Sequence, residues 1–328
     1  MVSLRVIFLV GLLAVSAFAV EVKDMLGRNV KVADTSKIVF IGPGALRLGV
    51  YLGLEKDIVG VEAIEKKSPN TAPYREKINN EGVLKNIPII GQGGPGKIPS
   101  PEALIQSGAT LLVTSFLNKA DVNRLEAQTK IPTFAISYGE GYGGQEQKLE
   151  AVRNSILGLG KLTNKEQKAE KISEFMLSQI KELKQLNVKS DSIYVGGMGY
   201  KGAQGITSTE VEYPPFVLLG IQNIIQDKSS SGHLFVSLES IIQANPKIVI
   251  LDSLGKEIVE KEMEAKLPLF QMLDAYQEDN IHWVRPYNFY NTNIENTFII
   301  AWEIAKILGA EIEVKAKEEE ILKQFLSN

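Results

Sequence analysis

Apolar residues along this chain gather into short Val- and Ile-rich runs, and these alternate with stretches in which apolar positions recur every three or four residues. "KIVFI" (37–41), "IVGV" (58–61), "IPIIG" (87–91), "TLLVTS" (110–115) and "PTFAIS" (132–137) have the length and composition of buried strands, and the segments between them read as helices. Between 145 and 187 the strand signal stops. Leu149, Val152, Ile156 and Leu159 form one helical stripe, and Ile172, Phe175, Met176 and Leu183 form another. "KLTNKEQ" (161–167) separates the two, with Thr163 as the expected cap. The second helix, about Lys165 to Leu186, would be a rod of about 33 Å at the usual rise. Alternation then resumes with "SIYVGGM" (192–198), "IQNIIQ" (221–226), "KIVILDS" (247–253) and "IHWVRP" (281–286). An amphipathic helix through Ile294, Phe298, Ala301, Trp302, Ala305 and Leu308 follows, and "KAKEEEILKQFLSN" (315–328) reads as a solvated terminal helix. The pattern predicts an α/β protein in which two mostly parallel sheets flank a helical rod.

One piece occurs twice. "PSPEALIQSGATLLV" (99–113) returns as "VSLESIIQANPKIVI" (236–250), with Ser100, Glu102, Ile105 and Gln106 matched to Ser237, Glu239, Ile242 and Gln243 at a constant offset. In each copy a serine can cap the free N–H groups of a helix, and an acid sits in its first turn. The same spacing would arise if both glutamates were ordinary first-turn acids.

The strands end in loops, three of the four rich in glycine: "GPGALR" (42–47), "GQGGPGK" (91–97), "SFLNK" (115–119) and "YGEGYGGQ" (138–145). Ligands of open α/β sheets lie beyond the carboxyl ends of the strands, where such loops gather. Arg47, in the first turn after "GPGA", is a candidate anion donor. Lys201, Thr207, Ser208 and Thr209 supply donors from the second half, and "YNFYNTN" (287–293) combines aromatic faces with amides. The expected ligand contacts are Gly44, Arg47, Gln92, Gly93, Phe116, Tyr138, Tyr142, Tyr200, Lys201, Thr207, Ser208, Thr209, Tyr213, Tyr287, Tyr290, Asn291 and Asn293. This mixture suits a bulky, partly anionic ligand.

Composition narrows the chemistry. A formal charge of −3 gives no basic footprint for nucleic acid. The absence of cysteine excludes disulfides, thiolate zinc and iron–sulfur clusters. Only two histidines occur, His233 and His282, which argues against a site built on several imidazoles; ferric coordination by tyrosinate stays open. "GMGYKG" (197–202) fits a dinucleotide fingerprint after a strand, but "AQGITSTEVEYPPF" does not open a helix. No G-x-S-x-G elbow or nucleophile–base pair is present, and no enzyme activity is expected. Arg5, the apolar run "VIFLVGLLAV" (6–15) and "AFA" (17–19) read as a secretory leader ending near Ala19.

Taken in order, "DMLGRNVKV", the two S-x-E segments, "NPKIVILDS" and "LPLFQMLDAYQEDNIHWVRP" resemble the periplasmic binding proteins of ABC importers for iron–siderophore, haem and vitamin B12 complexes. The resemblance covers nearly the whole mature chain. It implies two Rossmann-like lobes with mostly parallel sheets, joined by a single long helix, with a ligand cleft between them. The division would be a leader at 1–19, a first lobe at 20–150, a linking helical segment at 151–187 and a second lobe at 188–328. It further implies a monomer that captures a metal–organic complex, most simply an iron(III) chelate, needs no intrinsic cofactor, and closes only modestly. Glu102 and Glu239 would each meet one half of a dimeric permease. Relatives often carry a lipid-anchoring cysteine; this chain has none, so free diffusion in the periplasm is expected. A direct ferric-ion binder, a haem or corrinoid binder and a secreted enzyme are the alternatives.

Overall fold

A computed structural model describes residues 19–67, 72–139, 145–190, 192–227 and 232–327, with the side chains of 145 and 146 left aside. The leader, apart from Ala19, and Tyr142 lie outside these residues. The first lobe is built on five parallel strands in the order Ile89–Gly91, Ile58–Glu62, Ile38–Ile41, Leu111–Thr114, Thr133–Ala135. An antiparallel hairpin, Val20–Lys23 with Asn29–Val32, closes against its edge through Met25 N–H to Ala135 O at 3.0 Å. The second sheet has three parallel strands, Ile281–Val284, Ile248–Asp252 and Ile193–Gly196, beside an antiparallel pair, Ser208–Glu210 with His233–Phe235.

"IQNIIQ" is not a strand among these. Ile224 donates one ladder bond to Ile193 O at 2.7 Å, but Asn223 turns inward, giving its amide to Thr209 Oγ1 at 2.8 Å and Glu210 O at 3.0 Å. A side chain that bonds backbone locally competes with the sheet ladder, and here it ends it.

Side-chain alternation sorts the strands onto three cores. Ile38, Phe40, Leu111 and Val113 of the first sheet and Ile193, Val195, Ile250 and Val284 of the second all face one central apolar cluster. Their neighbours Val39, Ile41 and Leu112 face Leu104 and Leu125 on the far side of the first sheet. Tyr194, Val249 and Leu251 face Leu238, Ile241, Val259 and Phe270 on the far side of the second. The two sheets therefore share a core, made by helices Gln145–Leu162, Glu166–Gln185, Pro214–Leu219 and Ile294–Ile307.

Glu166–Gln185 is the linking helix, and its 20 residues span about 30 Å. Ala169, Ile172, Met176 and Leu183 form its buried stripe, and Gln179 accepts a 2.8 Å bond from the Trp302 indole of helix Ile294–Ile307. Thr163 does not cap it: its hydroxyl is buried and donates to Leu159 O at 2.8 Å, the back-bond available inside a helix, leaving Lys165 as the first residue of the new turn. The terminal helix Val314–Leu326 is also more than a solvated rod. Ile321 and Phe325 are fully buried, with the Phe325 ring 4.9 Å from Tyr51 of the first lobe and 6.1 Å from Phe175 of the linking helix. The chain thus crosses to the second lobe and returns to brace the first. Among the described residues no helix is long and apolar enough to cross a membrane.

Candidate functional site: a cleft floored by a buried junction

At the carboxyl edges of the two sheets lies a pocket of about 250 Å³. The first lobe lines it with Phe116, which follows strand Leu111–Thr114, and Tyr138, which follows Thr133–Ala135; helix Gln145–Leu162 adds Lys148, Leu149 and Val152. The second lobe contributes Pro214, Tyr287, Asn288, Asn291 and Thr292. Apolar and aromatic walls with a few amides and one ammonium are what a small-molecule site requires. Phe116, Tyr138, Tyr287 and Asn291 were expected from sequence. Asn288 falls in the amide-bearing 287–293 loop singled out there, whereas Lys148 and Pro214 were not expected: a lysine beside a helical stripe and a proline opening a helix have ordinary structural uses. Lys148 acts electrostatically on Glu210 of the second lobe, which also accepts a hydrogen bond from Tyr287. Burial nevertheless pushes the Glu210 carboxyl up to about 7.

Arg47 does not face this cleft. It is fully buried, and its guanidinium is committed to the second lobe's 287–293 loop. Nη1 donates to Thr292 O at 2.7 Å; Nη2 donates to Phe289 O at 2.6 Å, Asn293 Oδ1 at 2.7 Å and Asn291 O at 3.2 Å. The guanidinium also lies 4.7 Å from the Tyr74 ring centroid. A planar fork of donors suits several oxygens on one side, and a loop that turns through left-handed Tyr290 (φ 46°) and Asn291 (φ 91°) presents them. Asn293, fully buried at the start of helix Ile294–Ile307, gives its amide to Pro286 O at 3.2 Å.

Tyr290 completes the junction. Its hydroxyl donates to Glu62 Oε2 at 2.8 Å and accepts from Gly94 N–H at 2.7 Å. The glycines expected to admit a ligand admit these aromatics instead. A Cβ on Gly44 (φ 79°) would stand 2.5 Å from the Tyr138 ring, and one on Gly93 (φ 86°) would stand 3.1 Å from the Tyr290 hydroxyl. Tyr138 in turn donates to Gly44 O at 3.0 Å. Gln92 is exposed and does not line the pocket.

The expected donors of the second lobe divide. Ser208 and Thr209 are buried and stitch the fold, donating at 2.6 Å to Met198 O and Val195 O respectively. Tyr213 is buried, its ring edge-on to Phe216 at 5.1 Å and Tyr287 at 5.5 Å. Thr207 is half-buried, while Tyr200 and Lys201 are exposed on the loop after Ile193–Gly196. No helix begins in "GMGYKG"; Tyr200 N–H bonds Gly202 O at 3.0 Å across a left-handed Lys201 (φ 54°), so the backbone there turns instead of cradling a pyrophosphate.

Three carboxyls hold the 287–293 loop: Glu62 through Tyr290, Asp252 through Tyr287 N–H at 3.0 Å, and Glu210 through the Tyr287 hydroxyl. Burial raises all three, Glu62 and Glu210 to about 7 and Asp252 to about 6. At Glu62, Gly42 N–H and Tyr290 offset burial in part, and the charge of Glu65 adds to the rise. A carboxyl raised in the folded state binds more protons folded than unfolded. Its contribution to stability is present at low pH and is lost as pH rises through the folded value. Unfolding free energy is therefore expected to fall between pH 5 and pH 8, with Glu62 alone accounting for about 2 kcal/mol. In Glu62→Gln that share of the slope disappears; urea midpoints measured across the range, with an unchanged slope in the variant, would exclude Glu62 as the titrating group.

The duplicated motif is duplicated in structure. Ser100 Oγ accepts from Ala103 N–H at 3.2 Å, and Ser237 Oγ accepts from Ser240 N–H at 3.0 Å, capping helices Pro101–Gln106 and Leu238–Ala244. Leu104 and Ile241, at matching positions, are fully buried, and Glu102 and Glu239 are exposed.

A family model described as periplasmic binding protein matches residues 39–286. No curated protein matches the chain. Among solved structures, a periplasmic solute-binding protein of Veillonella parvula superposes with a TM-score of 0.72 at 17% identity, covering 94% of this chain and 93% of that one. The molybdate periplasmic binding protein of Haemophilus influenzae gives 0.70 at 15%, covering 94% and 98%. The periplasmic catecholate-siderophore binding protein of Vibrio cholerae gives 0.60 at 17%, covering 88% and 99%. With two parallel-sheet lobes, one linking helix and a pocket between them, the chain belongs to the periplasmic binding protein family, the solute-binding components of ABC transporters.

Proposed function

We infer that the protein captures an anionic metal–organic complex, of the iron(III)-siderophore type, in the interlobe pocket and delivers it to a dimeric ABC permease through Glu102 and Glu239. The observation that carries this is the lining: Phe116, Tyr138, Pro214 and Tyr287 for conjugated or apolar surface, Asn288 and Asn291 for oxygens, and Lys148 for net negative charge. Among the described residues no group of three His, Asp or Glu side chains is placed to hold a metal ion. A pocket of about 250 Å³ takes a compact chelate or one arm of a larger one.

The test is native mass spectrometry, with optical absorption, of protein purified from its own organism. A coloured organic complex is the expected passenger. A bare ion or an oxyanion in its place would overturn the reading in favour of direct ion capture.

A further inference from the structure

An aromatic cluster stands open on the second lobe, at the sheet edge from which Tyr287 also projects. Tyr200 is 42% exposed and Phe235 58%. The Tyr200 ring stacks on the His233 imidazole with centroids 4.2 Å apart and planes 10° apart. Phe235 meets the two rings edge-on at 5.9 and 4.7 Å. Lys201 holds its ammonium 5.3 Å from the Tyr200 ring centroid. Contiguous exposed apolar surface of this kind marks an interaction site.

The imidazole has a defined orientation. Met198 O can only accept, so its 2.6 Å contact with Ser208 Oγ uses the serine proton. The 2.7 Å contact between Ser208 Oγ and His233 Nε2 must then run the other way, with Nε2–H donating. That tautomer leaves Nδ1 with a free lone pair and no partner among the described residues. Partial burial lowers the imidazole below its ordinary value, which keeps it neutral and accepting.

We propose that Tyr200, His233 and Phe235 form an aryl-recognition platform, which receives a flat aromatic group of the transported chelate bearing an N–H or O–H donor for His233 Nδ1, with Lys201 drawing its negative charge. This rests on the proposed function and names the ligand class more narrowly. Tyr200 follows strand Ile193–Gly196 and the pocket's Tyr287 follows Ile281–Val284, so both lie beyond carboxyl ends of one parallel sheet, and Lys201 offers an anionic guest a second ammonium besides Lys148.

Two iron(III) probes separate the ring from the metal and the charge: the complex of 2,3-dihydroxybenzoylglycine, an anion that carries aryl amides, and the complex of the hydroxamate N-hydroxy-N-methylsuccinamate, which is likewise anionic with all-oxygen ligation but has no ring. Quenching of intrinsic fluorescence in the mature protein is expected to give affinity roughly tenfold tighter for the aryl chelate. Tyr200→Ala and Phe235→Ala should each remove most of that preference while leaving hydroxamate binding unchanged. His233→Ala should also weaken aryl binding, and His233→Asn, whose Oδ1 replaces Nδ1, should restore part of it. Equal binding of both probes, or binding of the hydroxamate alone, overturns the platform and leaves the proposed function standing; binding of neither overturns both. If Tyr200→Ala and Phe235→Ala keep full aryl affinity but lose cellular uptake, the patch is a permease contact and the platform is likewise overturned.

Discussion

Arg47→Ala is expected to lower the unfolding free energy by about 4 kcal/mol, the range found when one partner of a buried charged network is removed. The substitution strips donors from the carbonyls of Phe289, Asn291 and Thr292 and from the Asn293 amide oxygen, and it empties the space over the Tyr74 ring. Each buried acceptor left unmade costs its desolvation. Arg47→Lys keeps the charge but not the fork; one ammonium cannot reach four oxygens, so it should recover half the loss or less. Urea denaturation of the three proteins measures this. Because Asn291 and Thr292 also line the pocket, ligand affinity should weaken alongside stability. A loss below about 1 kcal/mol would show that packing, not Arg47, holds the loop.

The second large effect concerns transport. With Glu102→Lys and Glu239→Lys combined, uptake by cells should be abolished while the purified protein binds ligand as before. Both acids are exposed in the first turns of capped helices, and neither lines the pocket. If the two acids dock on a basic permease surface as proposed, reversal would turn attraction into repulsion at both contacts. The fold should tolerate it, because the serine caps remain and unfavourable charge at a helix start costs only about 0.3–1 kcal/mol. Each single variant should retain partial uptake. Parallel loss of ligand affinity in the double variant would place the acids at the ligand.

Some of this was open to inspection in one dimension. The alternation that sorts Ile38 and Phe40 from Val39 and Ile41 is a period of two, and it survives folding because the pleat enforces it. The repeated capped helices were legible for a similar reason, since Ser100 and Ser237 act within three residues. The terminal helix was misread because its charges dominate the count, although Ile321 and Phe325, four apart, carried the signal of one buried face.

Site residues were legible as a neighbourhood and misassigned in role. Arg47 and the 287–293 loop were both marked, but a guanidinium beside a glycine turn has the same local pattern whether it faces solvent or four oxygens. Those oxygens lie 242 to 246 positions away. Gly44 and Gly93 stand among the expected ligand contacts, but what crowds them is the protein's own side chains: Tyr138 at Gly44, and Ile64 with the Tyr290 hydroxyl at Gly93. His233 carried no signal at all; pairing of His233–Phe235 with Ser208–Glu210 and the turn at Lys201 bring it beneath Tyr200.

The order of residues by itself determined the strands of the two parallel sheets, the long linking helix, the doubled capping motif and the aromatic, glycine-rich character of the cleft loops, since each depends on contacts within a few residues; it did not separate "IQNIIQ" from a strand or mark the antiparallel pairs. Tertiary structure alone decided which polar groups stayed free. Long-range pairing consumed Arg47, Tyr290 and Asn293 in holding the lobes together and Ser208 and Thr209 in stitching the second lobe, and it left Lys148 lining the pocket and Tyr200 exposed.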